Sequence, residues 1–121
     1  METSVGIVGF GTYFPERIET AADLVAATEI PEEILREKMG IRQRHIAGDD
    51  DSVTQMASRA AQAALENANV PAEKVNLVIS HGSEYKDHLV WNAAAKIQHN
   101  IGAVNTYPSR CTPCARALRL P

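Results

Sequence analysis

Apolar and polar positions along the chain divide it into short segments, each bounded by recognisable start and stop signals. Val5 to Phe10 reads VGIVGF, a nearly continuous apolar run ending in Gly9 and Gly11, the pattern of a buried strand that leaves through a tight turn. Thr20 stands before Ala21, Ala22 and Asp23. Its hydroxyl can accept a bond from a free N–H of a first helical turn, and Asp23 suits the positive end of the helix dipole, so a helix to about Thr28 is expected. Pro31 sits where a missing N–H costs nothing, Glu32 and Glu33 fall in a first turn, and Gly40 supplies a left-handed stop. These signals bracket a second short helix over residues 31 to 39.

Ser52 and Gln55 have capping-box spacing, and Met56, Ala60, Ala63 or Ala64, and Leu65 recur at helical spacing to about Asn69. The alanine-rich face allows close packing. Val70-Pro71 breaks this helix, and the β-branched run Val75 to Ser80 reads as a second buried strand. After a polar stretch from His81 to His88, the residues Val90, Ala93, Ala94, Ile97 and Ile101 share one helical face until Gly102. That helix, taken as residues 88 to 101, carries Trp91 as a partly buried core residue. A third strand is expected from near Ala103. Strand, helices, strand, helix, strand is the order of an α/β fold with parallel pairing and right-handed crossovers. No repeat, low-complexity stretch or linker divides the chain.

With 121 residues, 45% of them hydrophobic, the chain is expected to form one folding unit or a piece of one. Its net charge of −3 comes without a basic stripe, which argues against nucleic acid as a partner. Met1-Glu2-Thr3 lacks the positive start of a secretory signal and no apolar stretch reaches membrane-spanning length, so a cytoplasmic location without a membrane partner is expected. Cys111 and Cys114 have the spacing of a redox pair or half a zinc site. No second pair follows, and His45, His81, His88 and His99 show no finger-like spacing to it, so no metal site is expected. Gly9-Phe10-Gly11 has two glycines of a dinucleotide loop, but Phe14 stands where the third would be, which leaves a tight turn. Glu84, Lys86, Asp87 and His88 read as a solvated loop, although loops at strand ends border ligands in α/β folds.

Four segments in order resemble beta-ketoacyl-acyl carrier protein synthase III and its near relatives. They are Gly9 to Glu16 (GFGTYFPE), Lys38 to Ala47 (KMGIRQRHIA), Val75 to Ser80, and Ala93 to Gln98 (AAAKIQ) leading to Ile101-Gly102. Together they extend from residue 5 to about residue 107, and GIRxRHIA is the most specific. The resemblance implies the amino-terminal part of a thiolase fold, a mostly parallel sheet with flanking helices, covering about the first third of a family member. It further implies dimerisation through this half. The implied chemistry is acyl transfer from coenzyme A to a cysteine, then decarboxylative condensation with malonyl on acyl carrier protein, with a downstream His and Asn completing the site. A thiolate suits this because it accepts an acyl group from a thioester and its acyl form remains reactive. A helix N-terminus lowers the thiol pKa, and nearby N–H groups stabilise the oxyanion.

By the same resemblance Lys38 falls where the family often has a basic residue near the coenzyme phosphates, and it is carried over as a binding residue. Arg42, Arg44 and His45 lie on a loop that the resemblance puts near the pantetheine tunnel or the dimer contact. Ile34 occupies a position where many members carry a Trp that stacks on adenine. That stack is absent here, which leaves the donor open between acyl-CoA and an acyl carrier protein. No bound cofactor is implied.

The tail departs from the family. After Ile101 to Tyr107 a strand and then the nucleophile in a Cys-Ala-Gly context would follow, whereas residues 108–118 read PSRCTPCARAL. Two prolines in six residues argue against a central strand. One legal set of codons for residues 108–118, read from its third base, gives FEVYALCAGA, a strand followed by the nucleophile motif. Residues 1–107 are therefore read as the thiolase-like partial domain and 108–121 as a non-family, frameshifted tail. The nucleophile codon would straddle Cys114 and Ala115, which makes Cys114 the catalytic candidate. The leading expectation is a synthase III-like acyltransferase of fatty acid or polyketide metabolism whose His and Asn lie beyond residue 121, so that the chain alone is inactive. A hydroxymethylglutaryl-CoA synthase-like enzyme, an inert fragment or dimerising partner, and a CxxC thiol or zinc protein are the alternatives.

Overall fold

Thr20 ends one element and starts another. In the computed structural model, which describes residues 4–82, 87, 88 and 91–111, strand β1 (Ile18–Thr20) runs into helix α1 (Ala21–Thr28). The Thr20 side chain accepts from the Asp23 N–H at 3.3 Å, and the Asp23 carboxylate accepts from the Thr20 N–H at 2.8 Å and its hydroxyl at 2.6 Å. This is a capping box with Asp in place of Glu. The Thr20 hydroxyl, and then its N–H, hold the Asp23 carboxyl below the ordinary carboxylate range. Because the folded pKa is depressed, this contribution is present above the unfolded value and is lost as pH falls through the folded one. Glu29, with φ 59°, ends the helix in the left-handed region.

The residues fall into two units, Phe14–Asp51 and a second formed by Met1–Tyr13 with Ser52–Pro121. In the first, Ala21, Leu24 and Leu35 form a buried cluster edged by Val25, Ile30 and Ile41. The helix expected over residues 31 to 39 takes another form. Ile34–Lys38 winds as a π-helical turn, in which Met39 N–H reaches back to the Ile34 carbonyl at 3.0 Å. A helix this short gains little from propensity, and burial of Leu35 to 2% exposure sets the winding instead. Gly40, at φ +69°, then turns the chain so that the Ile41 N–H bonds the Leu35 carbonyl at 2.8 Å. Strand β2 (Gln43–His45) pairs antiparallel with β1, Glu19 opposite Arg44. Neither strand was expected, since three residues are too few to display alternation.

The other unit is built on helix α2 (Val53–Ala68), a 3-10 turn (Ala72–Lys74), strand β3 (Leu77–His81), helix α3 (Ala93–Asn100) and strand β4 (Tyr107–Cys111). Strands β3 and β4 pair in parallel, from Leu77 opposite Tyr107 to His81 opposite Cys111. The α/β class stands, but the described residues form two two-stranded sheets, one of them antiparallel, instead of one mostly parallel sheet.

Four further expectations are corrected. The run Val5 to Phe10 joins no described ladder, and Val5, Ile7, Val8 and Phe10 are 95%, 92%, 80% and 78% exposed. Apolar composition encodes a tendency to be buried but cannot supply the neighbouring strand that a ladder needs. Helix α3 begins at Ala93, not residue 88, because the Asn92 side chain caps it by accepting from the Ala94 N–H at 3.1 Å. Trp91 therefore precedes the helix, half-buried and edge-on to His88 at 4.8 Å; Val90 lies outside the described residues. The third strand starts at Tyr107, not near Ala103, which is itself buried in the loop after α3.

Pro108 is inside β4 despite the argument from its proline. The Tyr107 N–H bonds the Asn76 carbonyl at 3.1 Å, and in a parallel ladder the next residue's N–H points to the opposite edge. The missing donor of Pro108 thus falls on the side away from β3, where a proline is tolerated.

Gly9 and Gly11 press on the alanine face of α2. A Cβ on Gly9 would stand 2.7 Å from the Ala68 Cβ, and one on Gly11 would overlap the backbone at Ala60 and Ala64. Asn67 fastens the same segment by donating to the Phe10 carbonyl at 3.1 Å. Gly11→Ala is expected to destabilise the chain by about 1–3 kcal/mol, since rigid helix backbone must move to admit the methyl. An unchanged urea midpoint would contradict the packing.

Candidate functional site

Strands β3 and β4 end together, at His81 and Cys111. In open α/β sheets ligands sit beyond the carboxyl ends of parallel strands, so this edge is the candidate site. Asp87, on the segment that follows β3, reaches the amino terminus of α2. Its carboxylate accepts from the N–H groups of Val53 at 2.8 Å and Thr54 at 3.1 Å and from the Thr54 hydroxyl at 2.5 Å. Desolvation pushes the Asp87 carboxyl up, but the hydrogen bonds from Thr54, Val53 and Ser52 together outweigh it and hold the group below its ordinary range.

The contact continues inward as a polar seam. Thr54 and Ser58 are the buried positions of α2. Ser58 donates to the Thr54 carbonyl at 2.7 Å and accepts from Asn100 at 3.0 Å, while the same Asn100 amide donates to the Gln55 side chain at 3.3 Å. Ser52 caps α2 by accepting from the Gln55 N–H at 3.3 Å, but the capping box its spacing suggested is only half formed, since the Gln55 side chain accepts from Asn100. At the start of α3, Asn92 donates to the Pro108 carbonyl at 3.3 Å and so ties the helix to β4.

Cys114 lies outside the described residues, as do Glu84 and Lys86. Cys111 contributes its backbone to β4. Lys38 is exposed at the last position of the π-helical turn, and Ile34 is half-buried at its first. The described residues therefore assemble no predicted catalytic pair, and no group of three or more His, Cys, Asp and Glu among them is placed to hold a metal. A cavity of about 310 Å³ lies at the far end of α2 against Leu65, Pro71 and Ile101, with Glu66 as its one titratable side chain.

The GIRQRHIA segment folds its own unit. Two guanidinium nitrogens of Arg44 converge on one Glu19 oxygen, at 2.6 and 2.7 Å. The His45 ring donates from Nδ1 to the Pro15 carbonyl at 2.6 Å and lies 5.2 Å from the Phe14 ring. The sequence alone did not reveal these contacts because their partners lie 25 and 30 residues away along the chain. The Asp87 clasp was invisible for the same reason. The recurrence of polar Thr54 and Ser58 one helical turn apart was the signal that could have exposed the seam.

Arg44 and Glu19 sit in a partly exposed cross-strand pair, so their coupling is expected to be small. A double-mutant cycle of Arg44→Ala and Glu19→Ala, read by urea unfolding, should give about 0.2–1 kcal/mol and less at high salt. A coupling that salt does not weaken would contradict a screened surface pair.

No sequence-family profile matches the chain. It is 41% identical over 100 residues to beta-ketoacyl-[acyl-carrier-protein] synthase III of Pectobacterium atrosepticum, covering 83% of this chain and 31% of that protein. The corresponding enzyme of Bacillus pumilus is 36% identical over 100 residues, covering 83% and 32%. Among solved structures, 3-oxoacyl-[acyl-carrier-protein] synthase III of Aquifex aeolicus superposes with a TM-score of 0.81 at 28% identity, over 88% of this chain and 34% of that one. The priming beta-ketosynthase of the R1128 polyketide pathway gives 0.82 at 26% identity, over 88% and 32%. The chain thus spans about a third of the length of the relatives it matches. By sequence and by fold it is a relative of the beta-ketoacyl-[acyl-carrier-protein] synthase III family, carrying part of the thiolase-like condensing-enzyme fold.

Proposed function

We propose that this chain is part of a synthase III-type acyltransferase acting in the cytoplasm, and that the 121-residue polypeptide alone does not catalyse the condensation. The observation that supports it most is the 0.81 superposition on a 3-oxoacyl-[acyl-carrier-protein] synthase over most of the chain. In this reaction class a cysteine thiolate attacks the carbonyl of an acyl thioester, the new acyl–sulfur bond forms as the donor's acyl–sulfur bond breaks, and the donor leaves as a thiolate that takes up a proton from solvent. A malonyl group on acyl carrier protein then loses carbon dioxide, and its α-carbon attacks the acyl-cysteine and expels the thiolate. Acyl-CoA and acyl carrier protein are the proposed partners, with Lys38 as a contact for the donor's phosphates and a homodimer as the working state.

The nucleophile is proposed to be a cysteine whose codon straddles Cys114 and Ala115, in a frame that departs from the present one after about Tyr107. What supports this is the departure of PSRCTPCARAL from the family's Cys-Ala-Gly context; the prolines do not, because Tyr107–Cys111 forms a strand in the present frame. Exposure of Val5, Ile7, Val8 and Phe10 supports inactivity of the isolated polypeptide, since that apolar surface is left for water or aggregation.

Incubation of the 121-residue chain with acetyl-CoA, followed by intact mass measurement, should show no acyl adduct. An adduct mapping to Cys114 would overturn the inactivity. A frame-corrected full-length protein should gain one acetyl group on the Cys-Ala-Gly cysteine, and its absence there would overturn the acyltransferase reading.

A further inference from the structure

The two outer edges of the β3–β4 pair carry different hydrogen-bonding groups. Because the Tyr107 N–H bonds the Asn76 carbonyl, the alternation of a parallel ladder turns the backbone groups of Tyr107, Ser109 and Cys111 toward β3. Those of Pro108 and Arg110 turn to the outer edge of β4, in line with Thr106 before them. Two carbonyls on that edge are already taken. The Asn92 amide donates to the Pro108 carbonyl at 3.3 Å, and the Gln98 amide donates to the Thr106 carbonyl at 3.2 Å. Pro108 has no N–H to offer there. On the other side of the pair, Leu77 and Ile79 turn their backbone groups to the outer edge of β3, where no side chain among the described residues bonds them.

Both amides are held in place by α3. The Asn92 side-chain oxygen accepts from the Ala94 N–H at 3.1 Å as the helix cap, so its NH2 group is the end that faces Pro108. Gln98 follows Ile97, which is buried with Ala93 and Ala94 on the inward face of the helix. Burial of these apolar residues already seats α3. The two amide–carbonyl bonds do something further, because they occupy acceptors that a neighbouring strand would need, and an edge strand left bare invites such pairing.

We infer that α3 holds the outer edge of β4 closed: Asn92 and Gln98 cap its carbonyls, Pro108 removes a donor, and a second copy's strand adds there only after displacing the two amides. Within β4 the Arg110 N–H is then the outward donor that remains, too little for a ladder. The inference rests on backbone geometry and is independent of the acyl chemistry.

The test opens the edge while sparing the helix. Asn92→Asp keeps the capping oxygen but cannot donate to Pro108, Gln98→Met keeps the length of the side chain without its donor, and Pro108→Ala returns an N–H. In the triple variant of the 121-residue chain, self-association measured by sedimentation equilibrium is expected to strengthen at least about tenfold, the worth of one or two net hydrogen bonds. The Arg110 N–H, followed by NMR-detected hydrogen exchange, should gain protection as protein concentration rises. Exposed Val5, Ile7, Val8 and Phe10 are common to variant and parent, so association through them is present in both. Pro108→Ala alone, with both amides in place, should associate no more than the parent. Equal association of the triple variant and the parent would overturn the inference, as would stronger association without protection at Arg110. A loss of protection across β3 and α3 with no gain at Arg110 would also overturn it, and would mark the amides as general supports of the fold.

Discussion

Close approach of the Gly9–Gly11 backbone to α2 is the constraint on which the Ser52-to-Cys111 unit depends. Glycine on one side and alanine on the other let a chain segment lie directly against helix backbone, where a single Cβ at Gly11 would already overlap Ala60 and Ala64. Val5, Ile7 and Val8 in the preceding run are exposed, with no described strand paired to them. A segment clasped by a helix on one face and bare on the other has the form of one layer of a larger α/β core. That agrees with a chain spanning about a third of the relatives it matches.

The Phe14–Asp51 unit obeys a different economy. Its buried cluster is small, and it is organised by local devices: the Thr20–Asp23 box, the left-handed turn at Gly40 and the cross-strand pair of Glu19 and Arg44. The segment with the most specific resemblance to the condensing enzymes, GIRQRHIA, is also the one whose side chains fold this unit. Arg44 and His45 make their contacts to Glu19 and Pro15, so a structural reason for that motif exists beside any role toward a donor.

Local signals were legible where the chemistry is local. Thr20 and Asp23 fixed the start of α1 to the residue and Ser52 the start of α2, whereas the strand expected to be buried over Val75 to Ser80 runs instead from Leu77 to His81 and leaves Leu77 and Ile79 exposed. Failures occurred where a partner distant in sequence decides the outcome. Leu35 rewound a helix to reach its core, β1 and β2 were too short to show a period, and Pro108 entered a strand because its missing donor faces away from β3. Of the candidate site, Lys38 is placed on an exposed turn, Cys114 lies outside the described residues, and Asp87 emerged only from its contact with Val53 and Thr54. A carboxylate in a polar loop looks the same in sequence whether it faces water or a helix terminus.

The central claim is that the chain derives from a synthase III-type gene whose reading frame departs after about Tyr107. Resequencing that gene from about codon 100 through the following several hundred bases tests it most directly. The account predicts that a single-base correction replaces PSRCTPCARAL with a strand leading into Cys-Ala-Gly and opens a longer frame containing a His and an Asn suited to the condensation. A confirmed sequence with no such frame in either alternative register would contradict it.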